Sequence, residues 1–367
     1  MDTQQDLLYK IALTHLPSVG AVLARTLVGF AGGVEAVFKQ KKSHLLKIPG
    51  IGNKTAEDIV NSRSLATAES ELAFVIKHDV KALFYLDQDY PLRLKRLKDA
   101  PTLLYYKGCT DLNAERILAI VGTRKPTSYG INQCEKLIDH LRTMDVLVLS
   151  GLAYGIDIVS HRKALEVGLP TVGVMGSGLD RVYPAVHRKT AKDMLDQGGL
   201  LTEFASGTKP DRENFPMRNR IIAGMCDALV VVESDIKGGS MITAELANAY
   251  HKDVFAIPGK IGDQWSRGCN YLIKTNRAGL IEGAEDLTNL MQWQEKQPKK
   301  EVQRALFVEL SDLENQVLDL FHDSSPISID RILKESTHTS SELASILLNL
   351  EFQGLIKALP GKLYLRV

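Results

Sequence analysis

The chain has 367 residues, enough for more than one domain and a large core. Lys+Arg 45 against Asp+Glu 44 leaves a formal net charge of +1, so no global positive field steers polyanions and any nucleic-acid site must be a local patch. The four cysteines (Cys109, Cys134, Cys226, Cys269) are widely separated and form no C-x-x-C pair, which argues against a zinc site and a disulfide framework.

The N-terminus, Met1-Asp2-Thr3-Gln4-Gln5-Asp6, is acidic and polar, unlike a signal peptide. No apolar run approaches the roughly 18 residues that span a bilayer. A soluble, cytoplasmic protein without membrane insertion is expected. Residues 1–67 carry a degenerate repeat: Leu16-Pro17-Ser18-Val19-Gly20 followed by Ala24 recurs as Ile48-Pro49-Gly50-Ile51-Gly52 followed by Ala56. Each copy places a Pro/Gly turn between helical patterns. Such hairpins resemble the helix-hairpin-helix (SAM-like) family, whose glycine turn offers backbone N–H groups to a DNA phosphate. In the second copy Lys54 and Thr55 are placed to assist. The alternative is an αα-hairpin whose glycines permit tight packing, and Ser18-Val19-Gly20 in the first copy fits that role.

Residues 68–292 alternate apolar runs with helical patterns. Ile117–Val121, Leu147–Ser150, Thr171–Val174, Leu229–Val232 and Val254–Ile257 read as buried strands. Helices are expected near Tyr129–Met144, Ile156–Glu166, Ala185–Asp196 and Ile242–Tyr250. Strands alternating with helices predict an α/β domain with a parallel sheet covered on both faces.

A polar stretch, Gln294-Glu295-Lys296-Gln297-Pro298-Lys299-Lys300-Glu301, marks a solvated linker over 293–306. Within 307–367, Ser311–Phe321, Ile329–Leu333 and Ser341–Gln353 read as helices, and alternation about Pro360-Gly361 signals a hairpin. Three helices and a hairpin predict a winged helix. The region Glu335–Glu342 is not basic, which favours interaction with protein over duplex reading.

In a parallel α/β sheet, ligands bind beyond the carboxyl ends of the strands. Here those ends run into Gly122-Thr123-Arg124, Ser150-Gly151, Gly176-Ser177-Gly178 and a loop from Glu233 through Lys237-Gly238-Gly239-Ser240. Glycines let the backbone approach phosphate, and loop N–H groups form anion-binding concavities. Four such ends make a phosphate-binding rim. The dinucleotide fingerprint fails at Arg181 and no P-loop motif exists, so no NAD, FAD or other cofactor is expected. His161 and His187 lack a sequence-evident nucleophile and orienting acid, and Asp157 fits a turn-organising role better than a catalytic one.

Pro216 predicts a helix entrance, which would put Arg218, Asn219 and Arg220 in the first turn. Arg124, Lys209, Arg212, Arg218 and Arg220 are candidate cations, and Phe215 is a flat ring among them. Phosphate contacts plus aromatic faces are what single-stranded nucleic acid requires. A core anchor is the competing role for Phe215.

These motifs, with Gly155-Ile156-Asp157, Gly178-Leu179-Asp180, Tyr183-Pro184, Asn214-Phe215-Pro216, Ile242-Thr243, Ile257-Pro258-Gly259 and Gly268-Cys269-Asn270, closely resemble in order those of the DprA (Smf) family. The resemblance covers the whole central domain, and the flanking regions also fit. It implies an extended Rossmann fold without established enzymatic chemistry. Its implied role is to bind single-stranded DNA entering the cell during natural transformation, protect it and load the RecA recombinase onto it. Single-strand-binding protein is a further candidate partner, and a homodimer through the Rossmann domain is implied. The family motifs place Arg124, Arg212, Phe215 and Arg218-Asn219-Arg220 at the DNA pocket, with Gly239 and Ser240 on a matching loop. Thr123 replaces a commoner serine and keeps the hydroxyl. Arg212 is lysine in some relatives.

An enzymatic alternative comes from related nucleotide phosphoribohydrolases, which carry Gly-Gly-x-Gly-Thr followed by a glutamate. Gly238-Gly239-Ser240-Met241-Ile242-Thr243-Ala244-Glu245 is a distant echo, with Glu245 as the would-be acid and Met241 interrupting the glycines.

Overall fold

Apolar runs that are buried on both faces alternate with amphipathic helices through the centre of the chain, and they assemble into one twisted sheet. In a computed structural model, residues 3–293, 310–321, 326–336, 338–359 and 361–366 are described. The sheet contains β1 (Lys81–Phe84), β2 (Leu103–Gly108), β3 (Arg116–Gly122), β4 (Val146–Ser150), β5 (Thr171–Val174), β6 (Gly198–Thr202), β7 (Ala228–Val232), β8 (Asp253–Ala256) and β9 (Gly279–Leu280). Their order is β1-β2-β6-β5-β4-β3-β7-β8-β9. From β6 to β9 every pairing is parallel. The run β5-β4-β3-β7-β8-β9 is the doubly wound Rossmann order.

The expected parallel sheet forms the body of the domain. It is extended at one edge by β2 and β1, which pair antiparallel, a detail the sequence patterns did not carry. Alternate residues of β3 face opposite cores. Ile117, Ala119 and Val121 join the cluster containing Ile221, Ile222 and Ala244, while Leu118 and Ile120 join Cys134, Leu137 and Ile138. The strand pleat and the two helix layers dictate this division.

The repeat in the first residues has a structural counterpart. Ser18 (φ 60°) and Gly50 (φ 86°) both adopt the left-handed conformation, and helices Ala21–Ala31 and Asn53–Val60 start directly after Gly20 and Gly52. The helix Ser64–Lys77 runs across the 67/68 position. This helical region packs on the antiparallel edge, its core shared with Phe84, Leu103 and Tyr105.

By contacts the chain forms two compact units, Met1–Lys296 and Gln297–Val367. Apart from Trp293, the expected linker at 293–306 lies outside the described residues, as does Pro360 of the expected hairpin turn. In the second unit, helices Asp312–Asp319, Ile329–Glu335 and Ser340–Phe352 pack with β10 (Ile327–Ser328), β11 (Ile356–Leu359) and β12 (Leu363–Arg366), a winged helix with its own apolar core. Among the described residues, no helix is long and apolar enough to cross a membrane.

Candidate nucleic-acid interface

The chain order of the parallel strands reverses between β3 and β7. The helix after β3, Ser128–His140, packs on one face of the sheet, and the helix after β7, Gly239–Ala249, packs on the other. Their connecting loops therefore diverge and open a crevice, as the doubly wound fold requires. A cleft of about 730 Å³ lies there. It is lined by Gly122, Thr123, Arg124, Arg212, Phe215, Arg218, Asn219, Gly238, Gly239 and Ser240, ten of the twelve residues expected from sequence.

The base of the crevice is tied across the switch point. Thr123 N–H donates to the Glu233 carbonyl at 2.7 Å, and the buried Glu233 carboxylate accepts from Thr127 N–H at 2.8 Å and Thr127 Oγ1 at 2.5 Å. Glu233 itself sits at φ 51°, an uncommon conformation for a side chain of this kind. Thr123 Oγ1 accepts from Lys125 N–H, leaving its own proton free to point outward. Opposite, Gly238 caps the helix Gly239–Ala249 without a side-chain hydrogen bond; Met241 N–H donates to the Gly238 carbonyl at 3.1 Å, and the Gly239 and Ser240 N–H groups are the ones available to an anion. The Ser240 hydroxyl is already committed to Ser234 Oγ at 2.7 Å, which leaves its backbone N–H as its anion donor.

The aromatic wall stands beside this rim. The Phe215 ring rests on Gly176, where a Cβ would lie 3.2 Å from the ring, and Asn214 Nδ2 anchors the helix start to the Gly176 carbonyl. The Arg124 guanidinium stands over the Phe215 ring, 5.5 Å from its centroid, and the Tyr183 ring lies 6.2 Å away. Tyr154 and Tyr183, each about half exposed, line an adjoining pocket of about 90 Å³ with Arg124 and Arg218. Trp265, which sequence reasoning did not single out, also lines the main cleft. Its only local signal is one large ring in the polar run Asp263-Gln264-Trp265-Ser266-Arg267.

Pro216 is the third residue of the helix Asn214–Met225 and not its entrance. Proline is tolerated there because the first four N–H groups have no helical partner. Arg218 and Arg220 consequently fall in the second turn, and they part company. Arg218 is 5% exposed and lines the cleft from beneath. It donates to the Val174 carbonyl and faces Asp157 across Gly151. A Cβ at Gly151 would lie 2.2 Å from Arg218 Nη1 and 2.4 Å from Asp157 Oδ2, so a side chain there would displace the pair. Burial raises the Asp157 pKa and lowers that of Arg218, and each charge opposes the shift of the other. Asp157 also accepts from Ala153 N–H at 3.3 Å, a turn-organising contact.

Arg220 lies outside the cleft lining. It donates to the Asp99 carbonyl at 2.6 Å and to the Glu203 carboxylate, bracing the helix from behind. Two positions apart on a helix diverge by about 200°, which is the reason for the separation. Lys209 is exposed and outside the cleft lining as well; its carbonyl accepts from Asn214 Nδ2.

The two histidines support the floor. His161 is fully buried, with Nε2 2.5 Å from the Gly151 carbonyl and Nδ1 2.7 Å from Thr171 Oγ1. Burial pushes its pKa down to about 4. His187 Nδ1 lies 2.9 Å from the Leu152 carbonyl, and its ring meets Tyr154 edge-on. Both side chains hold the loop after β4. Glu245, the would-be acid of the enzymatic alternative, is exposed, pairs with Arg277 at 3.6 Å and is not part of the cleft lining.

Comparison with known proteins agrees with this architecture. The family profile of DNA recombination-mediator protein A matches residues 81–292, that of the DprA winged helix domain 303–362, and that of the SAM-like helix-hairpin-helix tandem 10–63. Protein Smf of Synechocystis sp. is 34% identical over 289 residues, 77% of this chain and 72% of its own length. DNA processing protein DprA of Streptococcus pneumoniae is 41% identical over 202 residues, 55% of this chain and 71% of its own length. The X-ray structure of the Streptococcus pneumoniae protein superposes with a TM-score of 0.68 at 31% identity, covering 78% of this chain and 98% of that one. A Helicobacter pylori DNA processing protein A, whose structure concerns its single-stranded DNA binding mode, gives 0.53 at 29% identity, covering 58% and 95%. On the profile match, the relatives and the shared fold together, the chain belongs to the DprA/Smf family, DNA recombination-mediator protein A.

Proposed function

We propose that this protein binds single-stranded DNA in the cleft between the β3 and β7 loops and serves as a recombination mediator. In this role it protects incoming strands during natural transformation and loads RecA onto them in the cytoplasm. The observation that carries the reading is the Arg124 guanidinium over the Phe215 ring, in one cleft with a helix N-terminus that has no side-chain cap. A cation, a base-sized flat surface and free N–H donors are the three things a strand with unpaired bases uses. The Helicobacter pylori relative, whose structure concerns single-stranded DNA binding, supports the transfer.

The proposed DNA-contacting set is Gly122, Thr123, Arg124, Arg212, Phe215, Asn219 and the Gly238-Gly239-Ser240 turn. Arg218 acts from beneath as a positioning charge, and Arg220 and Lys209 are assigned no direct contact. The role is binding and not catalysis, and it is exercised as a homodimer through the Rossmann domain. The domain limits proposed are 1–67, 68–292 and 307–367 with a linker at 293–306, and the winged helix is assigned to protein partners. The test is RecA filament formation on strands already covered by single-strand-binding protein. Added protein should shorten the lag, and an Arg124→Glu variant should not. An unchanged lag with the unaltered protein would contradict the mediator role.

A further inference from the structure

The cleft has a second aromatic surface, at Trp265 in the short 3-10 turn Gln264–Ser266. The turn is fastened to the end of β7 by main-chain and neighbouring contacts. Ser234 N–H donates to the Trp265 carbonyl at 2.6 Å, Gly268 N–H to the Ser234 carbonyl at 2.7 Å, and Gln264 Nε2 to Asp235 Oδ2 at 3.1 Å. None of these contacts uses the indole.

The chain's two tryptophans are therefore in contrasting positions. Trp293 is 9% exposed and belongs to an apolar core with Leu287 and Ile281. Trp265 is partly exposed and belongs to none of the apolar clusters of the described residues. Among those residues it meets no other ring, and its indole N–H has no hydrogen-bond partner. A large amphipathic ring ordinarily anchors a core and pairs its N–H when buried. Here it lies on the wall of a cleft that also holds Thr123, Lys237 and the Gly239–Ala249 helix start.

We propose that Trp265 is a second base-stacking platform, which takes an unpaired base of the same strand whose other base lies at Phe215. The phosphates between the two would lie on the rim of Thr123, Arg124 and the Gly238–Ser240 turn. This rests on the single-strand reading of the cleft. It adds a residue that lies outside the motifs carrying the family resemblance. Stacking is sequence-tolerant because every base has a flat face, so the subsite adds affinity and site length and not sequence preference.

The test uses the full chain, fluorescently labelled thymidine oligomers of increasing length, and two readouts in one titration. Label anisotropy reports whether the strand binds, and intrinsic tryptophan emission reports whether an indole meets a base. Emission should be quenched in step with binding once the oligomer is long enough to pass the rim. In Trp265→Phe the quench should disappear while binding persists. Trp265→Ala should weaken binding of the longer oligomers by roughly 5- to 100-fold, with Trp265→Phe recovering most of it. Binding without any quench, or a quench that survives in Trp265→Phe, would overturn the subsite and leave the cleft reading intact. No change in anisotropy at any length would overturn the cleft reading and this inference together.

Discussion

Two parts of this chain have folds that other proteins use on nucleic acid, the Rossmann crevice and the winged helix, and their charges are arranged on opposite plans. The crevice is lined by Arg124, Lys125, Arg212, Arg218 and Lys237 against two acids, Asp157 and Asp235. The third winged-helix helix, Ser340–Phe352, contains no lysine or arginine and begins with a Thr339/Glu342 capping box. Its exposed positions include Leu348 at 53% and Phe352 at 82%. Apolar side chains left in water on an acid-capped helix suit a protein partner, and a phosphate backbone finds no counter-charge along that helix. A fold permits a function; the placement of charge decides it.

The contrast breaks most visibly beneath the crevice. Asp157→Ala leaves the Arg218 charge buried without a counter-charge, and the expected loss is about 3–5 kcal/mol of stability in chemical denaturation. A loss below about 1 kcal/mol would mean that water reaches the pair. His161 gives the next largest effect. It is neutral in the fold, with its pKa pushed from 6.5 down to about 4, so the unfolded chain binds the proton first. Its contribution is complete above pH 6.5 and is lost as pH falls towards 4, by about 3 kcal/mol over that window. His161→Gln should flatten that part of the stability–pH curve.

On the binding side, Phe215→Ala removes the stacking surface and should cost about 1–3 kcal/mol of affinity for an oligonucleotide in an anisotropy titration. The matched change on the winged helix is Lys334→Glu, on a side chain in the last turn of Ile329–Glu335. Its expected effect on oligonucleotide affinity is less than about 2-fold, well under 1 kcal/mol. A loss as large as that of Phe215→Ala would bring the winged helix into the DNA site and erase the comparison.

Much of the scaffold was legible because it depends on local pattern. The strand Thr171–Val174 and the helix Ile156–Glu166 have the limits expected from their residues. All three winged-helix helices lie within one or two residues of the limits expected for them. The antiparallel edge was not legible. Strands Lys81–Phe84 and Leu103–Gly108 are not separated by the long helical pattern that marks a parallel crossover, and the partner of Leu103–Gly108 is Gly198–Thr202, about a hundred residues on, so no local period shows the pairing or its direction. The residue set of the cleft could be read from motif order, but the fate of its arginines could not. Whether Arg218 or Arg220 lines the cleft depends on Asp157 and Gly151 on one side of the helix and on Glu203 and Asp99 on the other, all distant in sequence. Trp265 escaped for a similar reason: its meaning comes from the β7 end to which its turn is tied.

The central claim is that Arg124 meets the phosphates of a single strand, and salt reports this directly. Oligonucleotide affinity measured by fluorescence anisotropy across a salt series should fall for Arg124→Ala. The log–log salt slope should shrink by about 0.7 for the one lost phosphate contact. The same affinity and the same slope as the unaltered protein would contradict the assignment of the cleft.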